Sequence, residues 1–459
     1  MEGNFWSILT RRMTKPAEHW KTLTPDERQD DRLRRWLGPP DLTFKDAGAA
    51  AAYHERVGII TDALALRRPA RVPICPLFGV YPLAYGGSTV REAMYDYDRF
   101  QEAWFTFHAD FALDVVADPL PSGRVFEAID YAQYRWPGHG TGDDAGYQYV
   151  EGEYMLPGEY EWLAHDPTGF LLRGYLPRIA PALAPLAGLA PLLDLMEGPG
   201  VAICLSQFGT PEMQAALRVL LEAGAESQAW LEAVGATFAD LACRLGMPAF
   251  SGGMTKAPFD VIGDTFRGTR GIIRDRFQRP KQLQEALERL VPLCVEQGVA
   301  GGDASGCPLI FIPLHKGADG FLSDEDYRRY YWPTLMAVVL GLIDDGLVPL
   351  LFAEGGYNQR LSVIADPEIP AGKAIWLFDQ TDMQAARRAL EGRACIGGNV
   401  PGTLLDLGTP IEVEDYVARL IDGVAGEGGF ILSTGTVVDE ARPQNVAALC
   451  AAGLKYGGA

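Results

Sequence analysis

Three short apolar runs, each followed by reactive side chains, decide the fold: PLIFIPLHKG (308–317), LVPLLFAEGG (347–356) and AIWLFDQT (374–381). Each run is nearly continuous in apolar residues, which is typical of parallel strands that are buried on both faces. Amphipathic segments beginning at Ser323 and Asp382 alternate with these runs. The alternation predicts βαβ units and a parallel sheet.

The same pattern extends outward in both directions along the chain. Further helical segments are predicted to begin at Pro211, Pro280 and Pro410. Eight strand–helix units at this length predict a TIM-type (β/α)₈ barrel, an α/β fold. We place the barrel at residues 71–459 and assign residues 1–70, which are charged and helical in pattern, to an N-terminal helical extension. The other candidate strands are RVPICPLFG (71–79), LDVVADP (113–119), GVAICLSQF (200–208), ACIGGNVP (394–401) and GFILSTGT (429–436).

Composition and charge exclude several classes of protein. The 459 residues are 48% hydrophobic and 22% charged, as in a globular protein with a large core. The formal net charge of −20 repels phosphate backbones, so nucleic acid is not an expected partner. No uncharged stretch approaches the roughly 20 residues of a membrane helix. Seven dispersed cysteines without a CxxC pair are typical of a reducing compartment, and we predict a cytoplasmic protein.

Polar side chains gather where the predicted strands end, and these ends form the catalytic face of a TIM barrel. Turn residues would also occur there, but His, Lys and carboxylates directly after apolar runs favour a functional cluster. The predicted catalytic residues are His315, Lys316, Asp118 and Asp379. The predicted substrate-binding residues are Asn399, Gln380, Tyr154 and His139, of which the last two lie on a long loop after the second strand.

A metal site is a further expectation at His315 and Glu354. A neutral imidazole and a carboxylate are suitable ligands for zinc or another divalent ion, with water or substrate in the open positions. The alternative is that His315 caps a turn or acts as a general base.

Several longer motifs resemble the uroporphyrinogen decarboxylase superfamily, over roughly residues 70–455. The motifs are ACIGGNVPGTLLDLGTPIEVEDYVARLID (394–422), GFILSTGTVVDEARPQNVAAL (429–449), GFLSDEDYRRYYWPTL (320–335), WPGHG (136–140), VEGEYM (150–155) and KAPFDVIGDTFRGTRGI (256–272). The resemblance implies that this chain is an enzyme with a TIM barrel, and it suggests a homodimer because members of that superfamily commonly form one. The superfamily includes a cofactor-free decarboxylase and zinc-dependent methyltransferases linked to corrinoid proteins.

The two chemistries of that superfamily make different demands on the chain. The thiol-directed methyltransferases hold zinc with a His-x-Cys and a later Cys, where this sequence reads Phe352-Ala353-Glu354 and Thr436. A thiol-activating zinc site of that design is therefore not expected. The decarboxylase grips substrate carboxylates with an arginine-rich loop, whereas PLFGVYPLAYGGST (76–89) has no arginine. Its pyrrole-facing aspartate has a counterpart in Asp118.

The leading expectation is methyl transfer from a small ether or methylated compound. His315 and Glu354 would bind a metal or polarise the substrate, while Asp379 and Asn399 would orient it. Its cofactors would be a divalent metal such as zinc and a corrinoid supplied by a partner protein.

Two other functions stay open. In a cofactor-free decarboxylase acting on a small organic acid, His315 or Lys316 would protonate the carbanion and Asp118 would stabilise a developing cation. A non-catalytic, ligand-binding barrel is the third possibility, and it predicts strand ends that are poor in titratable groups.

Overall fold

A parallel sheet of six strands in sequential order forms the centre of the structure, a computed structural model that describes residues 18–458. A small three-stranded sheet lies ahead of it in a long loop. The small sheet contains β1 Tyr134–Pro137, β2 Gly140–Thr141 and β3 Gln148–Tyr149. The main sheet contains β4 Gly253–Met254, β5 Leu309–Leu314, β6 Val348–Ala353, β7 Ile375–Phe378, β8 Cys395–Val400 and β9 Phe430–Thr434.

Two extended segments close the sheet into a barrel. Residues 72–78 run parallel to β9, through bridges from Ile74 to Leu432 and from Phe78 to Val438. Residues 113–117 lie between this segment and the residues just before β4 and are hydrogen-bonded to both. Asp114 N donates to Ile74 O, and Val116 N donates to Pro248 O. With β4 extended back to residue 247, the ring has eight members, and the chain is a TIM barrel as predicted.

Helices surround this barrel and extend beyond it. The longer ones are Pro25–Leu37, Ala47–Leu64, Tyr97–Asp110, Pro211–Leu245, Gly268–Gln278, Pro280–Ser305, Trp332–Asp344, Pro410–Val424 and Pro443–Tyr456. The shorter α-helices include Glu18–Thr22, Tyr81–Tyr85, Val90–Tyr95, Gly123–Ala128, Tyr160–His165, Leu176–Ile179, Gly198–Ser206, Leu361–Ile364, Met383–Leu390 and Gly402–Leu407. Within residues 18–458, three helical segments are of the wider π type, at Phe170–Tyr175, Val261–Phe266 and Tyr327–Tyr331.

Helix starts follow the predicted chemistry. Thr409 caps the helix that begins at Pro410, and its hydroxyl accepts from the N–H of Glu412 at 3.3 Å. Ser323 accepts from the N–H of Asp326 at 3.1 Å in the same way. Such caps satisfy backbone donors that have no partner within the helix.

Alternate residues of the strands face two different parts of the core. Ile375 and Leu377 belong to the cluster inside the barrel, whereas Trp376 and Phe378 pack with the surrounding helices. All four are fully buried, which is why β7 reads as a continuous apolar run. Tyr53 and Val57, from the helix Ala47–Leu64, belong to the inner cluster too. That N-terminal helix therefore packs against the barrel core. The domain boundary predicted at residue 70 stays a prediction. Residues 1–17 of the predicted extension lie outside the described range.

The strand predicted at residues 200–208 is wrong. This run lies in the helix Gly198–Ser206, where Ile203 is 69% exposed. The third barrel strand comes later, at residues 247–254, and its apolar run is interrupted by Pro248 and two glycines. A side chain at Gly252 would collide with Cys307 O, and one at Gly253 would collide with Gly301, so close packing accounts for both glycines.

None of the helices in residues 18–458 combines the length and the apolar character that crossing a membrane requires.

His108 is a buried, neutral histidine and should make the fold sensitive to acid. Its Nδ1 lies 2.7 Å from Trp104 O, and its Nε2 accepts from Ala117 N at 3.0 Å. Burial lowers the pKa of His108 to about 4 from an ordinary value of 6.5. Below pH 6.5 His108 is protonated in the unfolded chain but stays neutral in the folded chain. The free energy of unfolding should therefore fall by about 3 kcal/mol as the pH approaches 4.

Urea unfolding of the wild type and of His108→Gln at pH 7, 5.5 and 4.5 measures this effect. Glutamine keeps one donor and one acceptor but does not titrate, so its stability should depend less on pH. Equal pH dependence in both proteins would contradict the assignment.

Candidate active site

The ends of three neighbouring strands bring His315, Glu354 and Asp379 together. His315 follows β5, Glu354 follows β6 and Asp379 follows β7. His315 Nε2 lies 3.3 Å from Glu354 Oε1. The backbone N–H of Gly355, the residue after Glu354, donates to Asp379 Oδ2 at 2.9 Å. Three of the predicted strand-end side chains therefore form one row across the barrel mouth.

His315 is held between two carboxylates. Its Nδ1 lies 2.6 Å from Asp264 Oδ2, opposite the contact with Glu354. Burial alone would lower the pKa of His315, but the hydrogen bonds to Asp264 and Glu354 raise it to about 10. The imidazole is therefore protonated at neutral pH, and its side chain is still 35% exposed to the mouth. A cationic, accessible histidine is suited to act as a proton donor.

Asp264 is a site residue that the sequence analysis missed. It lies in the π-type segment Val261–Phe266, and Lys256 Nζ donates to its Oδ2 at 2.8 Å. Burial favours the neutral carboxyl, yet His315 and Lys256 outweigh it and hold the pKa of Asp264 well below its usual range. The available signal was an aspartate inside the apolar motif KAPFDVIGD (256–264).

Lys316 reaches the same carboxylate from the next position in the chain. Its Nζ lies 3.4 Å from Asp264 Oδ1 and donates to Thr269 Oγ1 at 2.8 Å. The ammonium group is thus paired, and it lies beside His315. The predicted His-Lys pair does converge on one point, although the carboxylate that gathers it comes from a distant segment.

The long loop that carries β1 to β3 lies over the segment that contains Asp264. Tyr154 N and Met155 N both donate to Phe266 O at 2.8 Å, and the Tyr149 hydroxyl donates to Asp264 O. Tyr134 packs edge-on against Tyr149, with ring centroids 5.4 Å apart. The loop therefore places an aromatic surface beside the charged row.

Asp118 lies on another side of the mouth, after residues 113–117. Its side chain can be reached by solvent, but the surrounding protein removes much of its hydration. This desolvation raises the pKa of Asp118 to about 6. No hydrogen bond connects Asp118 to the His315 row among the described residues.

Two other predicted site residues, His139 and Tyr154, have contacts outside the row. The His139 ring stacks on Trp136, and its Nε2 lies 2.8 Å from Glu127 Oε1. The Tyr154 hydroxyl donates to Val150 O within its own loop at 2.8 Å. Their proposed contacts with substrate stay predictions.

Asn399 and Gln380 support the row from behind. Asn399 Nδ2 donates to Asp379 O at 2.8 Å, and the Tyr416 hydroxyl donates to Asn399 Oδ1 at 2.9 Å. Gln380 is exposed, and its backbone N–H donates to Gly355 O at 3.1 Å. Both residues fix the backbone next to Asp379 and Glu354, and their roles in substrate binding stay predictions.

Within residues 18–458, no arginine forms a hydrogen bond or ion pair with Asp264, His315, Glu354 or Asp379. Arg124 donates to Tyr95 O at 2.8 Å, Arg267 is buried against Asp275 at 2.6 Å, and Arg135 and Arg270 are exposed. A substrate with many carboxylates requires several cations in one pocket. Such a substrate does not fit this arrangement.

The predicted metal pair has too few donors for zinc. In the range 18–458, no three His, Cys, Asp or Glu residues are grouped so that they would hold a metal ion. Catalytic zinc takes three protein ligands, whereas His315 and Glu354 provide two. The ring nitrogens of His315 are moreover occupied by its two carboxylate neighbours. No step is therefore assigned to a metal.

Asp264→Asn should lower the pKa of His315. The amide keeps the shape of the side chain but removes the charge that stabilises the imidazolium, so we expect a fall of about 1–3 pKa units. Titration of the imidazole resonances by NMR measures it directly. Asp382→Asn is a matched control, because that carboxylate only caps a helix at Gln384 N (2.9 Å) and should leave His315 unchanged. An unaltered titration in Asp264→Asn would contradict the geometry.

Comparison with known proteins agrees with this fold and defines the class. The sequence model of the uroporphyrinogen decarboxylase (URO-D) family matches residues 194–456, more than half of the chain. The chain therefore belongs to the uroporphyrinogen decarboxylase family, a family of TIM-barrel enzymes.

The relatives found are distant. A uroporphyrinogen decarboxylase from Chlorobaculum parvum is 24% identical over 241 residues, which cover 50% of this chain and 63% of the relative. One from Klebsiella pneumoniae is 25% identical over 194 residues, covering 40% and 52%. The chain thus spans less than two thirds of these curated relatives. A methyltransferase from Methanosarcina mazei has the same fold, with a TM-score of 0.57 at 16% identity, covering 88% of this chain and 98% of that one.

Proposed function

We propose that this chain transfers a methyl group from a small methyl ether to a corrinoid carried by a partner protein. The observation that carries the proposal is the Asp264–His315–Glu354 arrangement, with contacts of 2.6 and 3.3 Å. It keeps a protonated imidazole at the barrel mouth. When the C–O bond of a methyl ether breaks, the oxygen leaves with a negative charge. His315 donates a proton to that oxygen and so releases a neutral alcohol or phenol.

The surroundings of His315 support an uncharged substrate. The tyrosines of the long loop provide an apolar, aromatic surface, and the arginines that a polycarboxylate needs do not converge. A corrinoid would act as methyl acceptor. Two side chains on the side of the barrel formed by the long loop and the segment after β9, Tyr147 and Val437, are 42% and 43% exposed and offer apolar surface to such a partner-borne group. A side chain at Gly79 would meet Val437 and Asp439, which places Val437 beside the first barrel segment.

Loss of the methyl ether tests the proposal. The purified chain is incubated with a panel of small aliphatic and aromatic methyl ethers, with and without reduced cobalamin as acceptor. We expect release of the free alcohol or phenol, measured by liquid chromatography, only when cobalamin is present. Metal analysis of the same preparation should find no stoichiometric zinc. No release from any ether, despite saturating cobalamin, would reject the proposal.

Decarboxylation is the second candidate, because the curated relatives are decarboxylases and three cations lie around Asp264. His315, Lys256 and Lys316 would bind a single carboxylate, and His315 would protonate the carbanion after CO₂ leaves. This reaction predicts CO₂ release from small organic acids without any corrinoid. If neither reaction occurs, the non-catalytic ligand-binding barrel becomes the better interpretation.

A further inference from the structure

Asp260 is a buried carboxylate directly behind the His-Lys pair. Its side chain is wholly inaccessible to solvent. It accepts three hydrogen bonds: from the backbone N–H of His315 at 3.1 Å, from the backbone N–H of Lys316 at 2.9 Å and from the Tyr331 hydroxyl at 2.7 Å. Two of its three donors therefore belong to consecutive residues of the site.

We infer that Asp260 is a positioning residue that sets the directions of the His315 and Lys316 side chains by binding both of their backbone N–H groups. The inference rests on the proposed role of His315 as proton donor. Asp260 is not a catalytic residue, because within residues 18–458 its hydrogen bonds come from two backbone N–H groups and the Tyr331 hydroxyl. Its effect would reach the substrate through His315.

The geometry explains why a carboxylate is needed there. Past Leu314 the chain leaves β5, so the N–H groups of His315 and Lys316 lose the regular partners of the strand. A carboxylate has two oxygens that accept at the same time, and an amide or hydroxyl cannot serve two N–H donors and a phenol equally well. Burying the charge is costly, and three hydrogen bonds offset much of that cost.

Asp260 and Asp264 bind different parts of His315 and Lys316. They lie four residues apart in one helical stretch, so both face the end of β5. Asp260 fixes the backbone of His315 and Lys316, and Asp264 receives their side chains at 2.6 and 3.4 Å. The imidazole can meet both Asp264 and Glu354 only if its backbone is held at the correct angle.

Two tyrosines close this arrangement from behind. Tyr331 and Tyr357 are fully buried, and the Tyr357 hydroxyl lies 3.4 Å from Leu314 O. A side chain at Gly317 would come within 2.4 Å of the Tyr357 hydroxyl and 2.9 Å of Tyr331. The turn after Lys316 is therefore packed tightly on both tyrosines.

The pKa of His315 reports on its position without any substrate. The full chain, labelled with ¹⁵N-histidine, gives signals from six imidazoles, and His315→Gln identifies those of the relevant ring. In Asp260→Asn we expect the pKa of His315 to fall by about 1 pKa unit or more, because the ring leaves its two carboxylates and also loses the attraction of the Asp260 charge. Tyr331→Phe is the control. It removes one hydrogen bond from Asp260 but neither backbone bond, so it should lower stability and leave the pKa of His315 unchanged.

An unchanged His315 titration in a folded Asp260→Asn would overturn the inference, and so would an equal shift in Tyr331→Phe. If Asp260→Asn does not fold, the wild type provides the test. Burial and the charge of Asp264 raise the pKa of Asp260 above the ordinary carboxyl range. The backbone amides of His315 and Lys316 should therefore shift together as the pH is lowered through that raised value, and absence of a shared transition would overturn the inference.

These measurements use no substrate and no corrinoid. A failure of the methyl-transfer assay therefore leaves their result intact. A failure of the titration experiment, in turn, removes the role of Asp260 and leaves the proposed function standing.

Discussion

His315→Gln should lower the rate of methyl transfer by about 10²–10⁴-fold, the usual contribution of a general acid. Glutamine can donate a hydrogen bond to the leaving oxygen but cannot transfer a proton to it. The substrate would still bind, so kcat should fall more than KM rises. The measurement is the rate of alcohol or phenol release under saturating ether and reduced cobalamin.

The pH profile gives a second readout of the same group. The pKa of His315 is raised to about 10, so the wild type should hold its proton at neutral pH and lose activity as the pH rises through that value. His315→Gln should lack this alkaline limb. Because the folded pKa lies above the ordinary value of 6.5, protonation of His315 also stabilises the fold below pH 6.5, and this stabilisation is lost towards pH 10.

His165→Gln is the matched control for both measurements. That histidine is exposed at the end of the helix Tyr160–His165, where its Nδ1 lies 2.8 Å from Glu161 O. Its replacement should leave kcat unchanged. Wild-type turnover in His315→Gln, or an equal loss in His165→Gln, would show that His315 is not the proton donor.

Asp114→Ala should destabilise the fold by about 3–5 kcal/mol, as expected when one partner of a buried ion pair is removed. The Asp114 carboxylate is 3% exposed and accepts from both terminal nitrogens of Arg71 at 2.7 Å. It also accepts from the Ile74 N–H at 2.7 Å. The alanine variant leaves the partly buried Arg71 with Glu55 alone and the Ile74 N–H without this partner, where the first two barrel segments meet.

Urea unfolding measures this loss, with Asp62→Ala as control. Asp62 forms an ion pair with Arg67 of the same length, 2.7 Å, but the two side chains are 37% and 63% exposed. Exposed pairs contribute about 0–1 kcal/mol. Equal losses in the two variants would contradict the buried role of Asp114. The specific activity of the folded fraction of Asp114→Ala should remain normal, because the pair lies among barrel-closing contacts and not in the His315 row.

The sequence by itself determined the strands β5 to β9 and the reactive side chains that follow three of them. Burial on both faces leaves a continuous apolar run, and this signal is local, so β7 was identifiable from residues 374–381 alone. The residues that follow such runs, His315, Glu354 and Asp379, did assemble in one row. The third strand was not predicted, because Pro248 and two glycines interrupt its apolar pattern. The apolar run at 200–208 was predicted as a strand in its place, although it lies in the exposed helix at 198–206.

Only the tertiary structure decided which groups surround His315. Asp264 lies 51 positions away from it in the chain, and a π-type helical segment turns its carboxylate towards β5. Asn399 directs its amide to the backbone of Asp379, which its position at a strand end did not reveal. Periodicity reports whether a residue is buried, a property of its own segment. The protonation of His315 depends on charges brought together by closure of the barrel, and no local pattern records that distance.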